Sequence, residues 1–400
     1  MKDKRIIIIF ITVFMDLVGF GIVIPLNPYL AEHFGASPLE VGLLMSVYSF
    51  LQFLFAPVWG QLSDRLGRRP IILISLLGSA LAHTAFAFST SFTGLMLARG
   101  FAGLFGGNIS TAMAYMADIS DEKSRSKSMG LIGAAFGLGF LLGPALGGAV
   151  AGWGIMLGLS SPLSDSFPAL VAGGICFLNF LAAIKILPET RKPGAAVRAR
   201  PARFKMIFST FQKPVLGPVL GLVFVSGFAM AHIEASLFLF VQDKFGWSLS
   251  KASFGFAYIG LILVFTQGYL IRKWLPKFGE SRLLLLGFLL ATVGYAIMGF
   301  APSVAILAVA VTFLGLGVGL INPSLHGSVS LLSDSEVQGN NLGVSQSLAS
   351  IARILGPPTG GALYQHLGIW SPFSIAAGLG IMGAAAVISM QKRLPNSGKA

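Results

Sequence analysis

Twelve apolar runs set what this 400-residue chain can fold into. They lie at 6–31, 41–62, 70–89, 93–117, 128–152, 167–187, 215–241, 252–271, 283–300, 303–325, 342–363 and 369–390. Each matches or approaches the roughly 20 residues that an α-helix needs to cross a bilayer. Between them there is little to dissolve in water: 54% of residues are hydrophobic and 11% charged, against about 25% charged in an ordinary soluble domain. A backbone in hydrocarbon must satisfy its own N–H and C=O groups, and a run of this length does so as a helix.

Charge gives the orientation. Of the 28 Lys and Arg, 23 fall in the N-terminus, the even-numbered loops and the C-terminus. Positive loops stay on the cytoplasmic side, so both termini are expected there, in a bacterial cytoplasmic (inner) membrane. The net charge of +13 follows from this bias, and no nucleic-acid partner is expected. Cys176 is the only cysteine, so no intramolecular disulfide can form. The run at 6–31 is too long for a signal peptide and no A-x-A site follows it, so the first helix is expected to remain. There is no metal-ligand cluster and no nucleophile–His–acid array, so neither an enzyme nor a metal or other cofactor is expected.

The longest basic, apolar-poor stretch, 188–213, divides the chain into halves at 1–187 and 214–400. The halves echo one another at an offset of 213 residues. Gly143-Pro144-x-x-Gly147-Gly148 returns as Gly356-Pro357-x-x-Gly360-Gly361, Gly130 as Gly343, and Asp121 as Asp334. Parallel repeats of this kind build many secondary transporters. The expected fold class is all-α integral membrane, with twelve transmembrane helices in two pseudo-symmetric six-helix bundles.

The fifth run carries Gly130, Gly139, Gly143, Pro144, Gly147 and Gly148, the pattern G-x8-G-x3-G-P-x2-G-G. Glycines at i and i+4 leave a bare stripe that lets another helix come close. Pro144 removes a backbone donor and invites a kink. Between the second and third runs stands Gly60-Gln-Leu62-Ser-Asp64-Arg65-Leu-Gly67-Arg68-Arg69. Gly67 permits a tight turn. Asp64 can meet the positive end of a helix. Arg68 and Arg69 can pair with carboxylates or lipid phosphates, and Asp118, at the cytoplasmic end of the fourth run, is the expected partner for one of them.

These stretches resemble the major facilitator superfamily, whose loop signature is matched at every defined position and whose antiporters carry the fifth-helix glycine pattern. The resemblance implies that the loop cluster latches one conformational state. The second half, with Gly279-Glu280, lacks the aspartate. From the first to the fifth run the chain is similar to the drug:proton antiporter branch and, within it, to tetracycline efflux proteins. The residues are Asp16-x-x-Gly19-x-Gly21-x-x-x-Pro25-x-x-Pro28, Gln52-x-x-x-Ala56-Pro57, Arg99 with Gly103, Ala114-Tyr115-Met-Ala117-Asp118-Ile119 and, later, Glu336-x-Gln338-Gly339. Two positions depart from those exporters. The third run has Ala80-Leu81-Ala82-His83 where they carry an acid, and the eighth has Leu261-Ile262-Leu263-Val264 where they carry a histidine.

An ionisable group within a span is costly and is a functional candidate by default. Asp16 lies about 15 Å into the first run and is the first candidate for a proton carrier; the plainer alternative is a structural carboxylate beside Gly19 and Gly21. In the seventh run, Glu234 and His232 are further candidates, although they point about 200° apart on a helical wheel. Glu234 can instead be interfacial, and His232 or His83 a structural hydrogen-bonder. His326 is expected to act as a cap. Arg99 matches the fourth-helix arginine that the resemblance links to proton coupling, with Asp16 as a counter-charge. Arg353 needs a carboxylate or several carbonyls. Asn108, Asn322, Gln52, Phe20, Phe228, Tyr29, Tyr48, Phe53 and Phe238 are expected near a cavity that suits lipophilic, neutral or cationic compounds.

The function this implies is a monomeric, proton-coupled antiporter that exports a lipophilic small molecule by alternating access. The alternative is an exporter or importer of a metabolite such as a sugar, siderophore or lipid precursor. Partners are then the substrate, protons and the lipid bilayer.

Overall fold

A computed structural model describes residues 2–120, 122–190, 203–334, 337–391 and 393–394. Asp121, Glu336 and residues 191–202 of the expected linker lie outside them. Among the described residues every regular element is helical. In chain order they are α1 (Lys2–Val23), α2 (Leu26–His33), α3 (Pro38–Leu66), α4 (Arg68–Ala87), α5 (Phe92–Phe105), α6 (Asn108–Ile119), α7 (Glu122–Val150), α8 (Trp153–Met156) and α9 (Leu163–Ile186). The second half holds α10 (Arg203–Phe211), α11 (Leu216–Phe245), α12 (Leu249–Phe265), a π-helical turn at Thr266–Leu270, α13 (Ile271–Met298), α14 (Val304–Leu331), α15 (Gln338–Leu367) and α16 (Ser371–Met390).

Nine stretches among the described residues are long and apolar enough to cross a membrane. They correspond to the twelve runs as follows. The run at 93–117 is broken at Gly106 and Gly107 into α5 and α6. The runs at 252–271 and 283–300 are joined in one helical stretch, Leu249–Met298, which turns at Gly279 with φ 73°. The run at 342–363 lies within α15, which also carries Asn340, Asn341, Gln346, Arg353 and Gln365.

Local chemistry accounts for the breaks. Pro25 and Pro28 have no N–H, so the carbonyls of Gly21 and Ile24, four residues earlier, lose their helical donors. The buried Asn27 side chain covers the break, its Nδ2 donating to Val23 O at 3.0 Å and to Ile24 O at 3.2 Å. Ser91 caps α5 by accepting from Gly94 N, and Ser303 caps α14 by accepting from Ile306 N. The repeat is visible in the backbone as well. The six positive-φ glycines of the described residues pair as Gly35 with Gly246, Gly67 with Gly279 and Gly158 with Gly368, each pair close to the 213-residue offset read from the sequence.

The chain divides into two compact units. Unit 1 comprises Met1–Ala36, Val47–Arg198 and Val241–Gly260; unit 2 comprises Ser37–Ser46, Ala199–Phe240 and Leu261–Ala400. Each unit therefore includes a segment from the other half of the sequence. In unit 1, α1 packs along α7 and α9, and α4 along α9 and α5. Its core joins Ile9, Val13 and Leu17 of α1 with Leu76, Tyr115, Met116, Ile132 and Ala183. In unit 2, α13 packs along α14 and α16.

Candidate functional site

Three helices of unit 1 build a cation–aromatic cluster. Phe20 on α1 and Tyr48 on α3 bring their rings to 4.9 Å. The Arg99 guanidinium of α5 lies 4.7 Å from the Tyr48 ring centre and 5.7 Å from that of Phe20. Arg99 is buried, and the electron-rich ring faces give its charge a favourable surface. Phe140 of α7 meets Phe20 edge-on at 6.1 Å. Gln52, one turn below Tyr48, donates from Nε2 to Gly106 O at 2.7 Å and to Tyr48 Oη at 3.3 Å. Glycine explains how α3 and α5 come so close: a Cβ on Gly103 would strike the Tyr48 backbone, and one on Gly106 the Tyr48 hydroxyl. The sequence suggests Phe20, Gln52 and Tyr48 for a cavity lining and Arg99 for proton coupling; the structure joins them in one contact set.

Asp16 lies one turn before Phe20, half-buried. The Cys176 thiol of α9 is 4.0 Å from its Oδ1. A Cβ placed on Gly19 would lie 2.7 Å from Cys176 Sγ and 3.9 Å from His83 Nε2. Carboxyl, thiol and imidazole thus converge around Gly19. Neither Cys176 nor His83 was connected to Asp16 by the sequence, because α4 and α9 reach it only through the packing of the bundle. No group of three or more metal-ligating side chains occurs among the described residues. Asn108 starts α6, and its side chain lies outside the described residues.

The fifth-run glycines sit against α1. A Cβ on Gly139 would lie 2.7 Å from Leu17 Cβ, one on Gly143 2.7 Å from Gly21 Cα, and one on Gly147 3.2 Å from Ile22 O. Gly148 turns to the other side, where Ser250 Oγ donates to its carbonyl at 2.9 Å. Pro144 touches the same seam, 3.3 Å from the Cβ position of Gly21. Gly130 is within α7 and its surroundings lie outside the described residues.

At the other end of unit 1, Arg68 is the hub of a polar cluster. Its Nη1 donates to Asp64 Oδ1 at 2.6 Å and to Ser63 Oγ at 2.7 Å, and its Nε to Asp118 Oδ2 at 3.1 Å. The N-terminus of α4 is capped from a distance. Glu189, just beyond α9, accepts from the backbone N–H of Arg68 and of Arg69, both at 3.0 Å. The turn into α4 depends on Gly67, at φ 103°, where a Cβ would lie 2.5 Å from Glu189 Oε2. Asp64, expected to meet a helix end, pairs with the Arg68 side chain. Glu189 was missed; its signal was a lone carboxylate at the edge of the basic linker. Arg69 donates to Ile184 O at 2.6 Å. Gly60 is buried in α3, and Arg65 is exposed.

Unit 2 holds the remaining candidates. His232 is fully buried. Its Nδ1 lies 3.1 Å from Phe228 O and its Nε2 2.8 Å from Pro372 O. The Phe228 ring is 5.5 Å from the imidazole. Gly356 and Gly360 of α15 press on the His232 backbone, and Gly361 on that of Pro38. Glu234 is half-buried. Arg353 is half-buried and lies 3.4 Å from Ser350 Oγ. Asn322 is exposed, and His326 lies inside α14, five residues short of its end.

A helical membrane protein of repeated halves, with polar side chains gathered inside the bundle, is the build of a secondary transporter. The sequence profile of the Major Facilitator Superfamily matches residues 9–278 and 268–399, and the chain belongs to that family of membrane transporters. The tetracycline resistance protein, class B, of Escherichia coli is 30% identical over 94% of this chain and 92% of its own length. Multidrug resistance protein 2 of Bacillus subtilis is 29% identical over 96% of this chain and 94% of its own length. The crystal structure of the human organic anion transporter MFSD10 superposes with a TM-score of 0.71 at 25% identity, covering 96% of this chain and 99% of that one.

Proposed function

We propose that this transporter is a proton-coupled antiporter that exports a lipophilic small molecule from a bacterial cell, with Asp16 carrying the proton. The observation that carries the reading is the position of Asp16 on α1. One turn on, the same helix contributes Phe20 to the Arg99 cluster, and across from both it lies against the α7 glycines. A change in the charge of Asp16 therefore acts on a helix that contacts the substrate cluster and a bare, movable seam together. Protonation from outside favours release of substrate, and deprotonation inside resets the carrier. Arg99 supplies the positive charge that Asp16 meets or loses. Phe20, Tyr48, Phe140 and Gln52 offer flat apolar faces and one amide, a surface suited to amphipathic ring systems. Tetracycline and multidrug resistance proteins are among its relatives, which supports the same cargo class.

The test is efflux from proteoliposomes under an imposed proton gradient, with a panel of tetracyclines, cationic dyes and fluoroquinolones. Gradient-driven efflux is expected for at least one compound. Asp16→Asn should abolish it while leaving exchange without a gradient. Failure of every compound to move with the gradient would sink the reading.

A second reading has its own support. A guanidinium held against two rings can receive an anionic group, and the human relative is an organic anion transporter. Export of an organic anion predicts that carboxylated compounds compete better than cations of equal lipophilicity, and that Arg99→Gln removes the difference.

A further inference from the structure

We propose that His232 is a proton-binding residue of the second half, and that its bound proton ties α11 to the start of α16. The idea rests on the reading of the chain as proton-coupled and extends it from α1 to the other repeat.

Each ring nitrogen of His232 lies within hydrogen-bond distance of a carbonyl oxygen, Nδ1 at 3.1 Å from Phe228 and Nε2 at 2.8 Å from Pro372. A carbonyl oxygen only accepts. A neutral imidazole has one N–H, and only the imidazolium has two. In either neutral tautomer one nitrogen turns a lone pair toward a carbonyl lone pair. The ring is fully buried, so water does not take up the unmade bond. The proton completes both bonds at once.

The two carbonyls belong to different helices. Phe228 is on α11 itself, one turn before His232, while Pro372 opens α16. The protonated ring therefore bridges two elements; the neutral ring binds one of them. The backbone of His232 is meanwhile fixed by the α15 glycines, since a Cβ on Gly356 would lie 2.9 Å from its nitrogen and one on Gly360 would strike its carbonyl. What the proton changes is thus whether the ring holds both carbonyls at once or must release one of them.

The charged and titratable groups on the packed elements are few. Glu234 lies two residues further along α11, on another face, and Asp243 and Lys244 lie at its far end. α15 carries Arg353, one turn before Gly356, Tyr364, and His366 at its end. α16 carries none. The positive charge is held by carbonyl dipoles. Burial opposes that charge, and the two acceptors favour it.

The experiment uses the full chain, labelled with 15N-histidine, over about pH 5 to about pH 8, the range in which histidine titrates. The chain has five histidines, and the resonance lost in His232→Gln, or left over when the other four are replaced in turn, identifies the ring. Expected is a ring with both nitrogens protonated at the acid end that loses one proton as the pH rises. A ring that keeps a single N–H throughout overturns the proposal. In proteoliposomes, His232→Gln should retain substrate exchange but lose gradient-driven efflux by about tenfold or more, because glutamine offers a carbonyl and an amide but never two ring donors. An unchanged rate and pH profile in that variant also overturns it. If the unaltered protein shows no gradient-driven movement, the antiport reading fails, and the resonance still decides whether His232 takes the proton.

Discussion

Asn27 replaces the donor that Pro28 removed. Its amide satisfies the carbonyls of Val23 and Ile24 where α1 gives way to α2, and its residue is fully buried. Asn27→Ala should cost on the order of 1–2 kcal/mol, read as a lower melting temperature of the purified protein. Arg68 makes a stronger demand. Its side chain and that of Asp64 are 8% and 10% exposed, so removing Arg68 takes a close counter-charge from a buried carboxylate. Arg68→Ala is expected to cost about 3–5 kcal/mol, and the Asp64→Ala/Arg68→Ala pair less than that. A double-mutant cycle on thermal unfolding checks this; additive losses would mean that the two residues act independently.

Helices in this protein meet through what their residues lack. Along α1 and α7 the contact is glycine against backbone, so a side chain on Gly143 has no place to go. Gly143→Leu should separate the two helices, abolish transport and cost about 1–3 kcal/mol or more. Gly174→Ala, on α9 with nothing within 4 Å of its Cβ position, is the matched control and should leave both transport and melting unchanged. This seam was legible in the sequence because its signal is local, a spacing of four within one helix. The same holds for the apolar runs and for the glycine–proline pattern that recurs between the halves. What was not legible depends on distance along the chain. Tyr48 and Gln52 could be named, but their meeting with Arg99 needs α3 and α5 side by side. Glu189 reaches Arg68 across 121 residues, and His232 reaches Pro372 across 140. Cys176 reads as one more apolar residue until α9 is laid against α1.

At the scale of the whole molecule, the charge bias of the loops predicts both termini in the cytoplasm, and the single buried cysteine makes that easy to test. Cys176 is fully buried, so a cysteine introduced at either terminus is the reactive thiol. An impermeant maleimide should label it only after the membrane is opened; labelling of intact cells would reverse the topology. The chain should also transport as one 42.1 kDa protomer, read as that mass by native mass spectrometry of the active fraction. The seam of α1 and α7 is made of backbone and bare glycine, whereas the Arg99 cluster is made of side chains. Under the proposed function, a lineage can exchange Phe20, Tyr48 or Gln52 for other residues, and so acquire a new cargo, without disturbing the seam. Innovation in what is carried and inheritance of how it is carried are written in different residues.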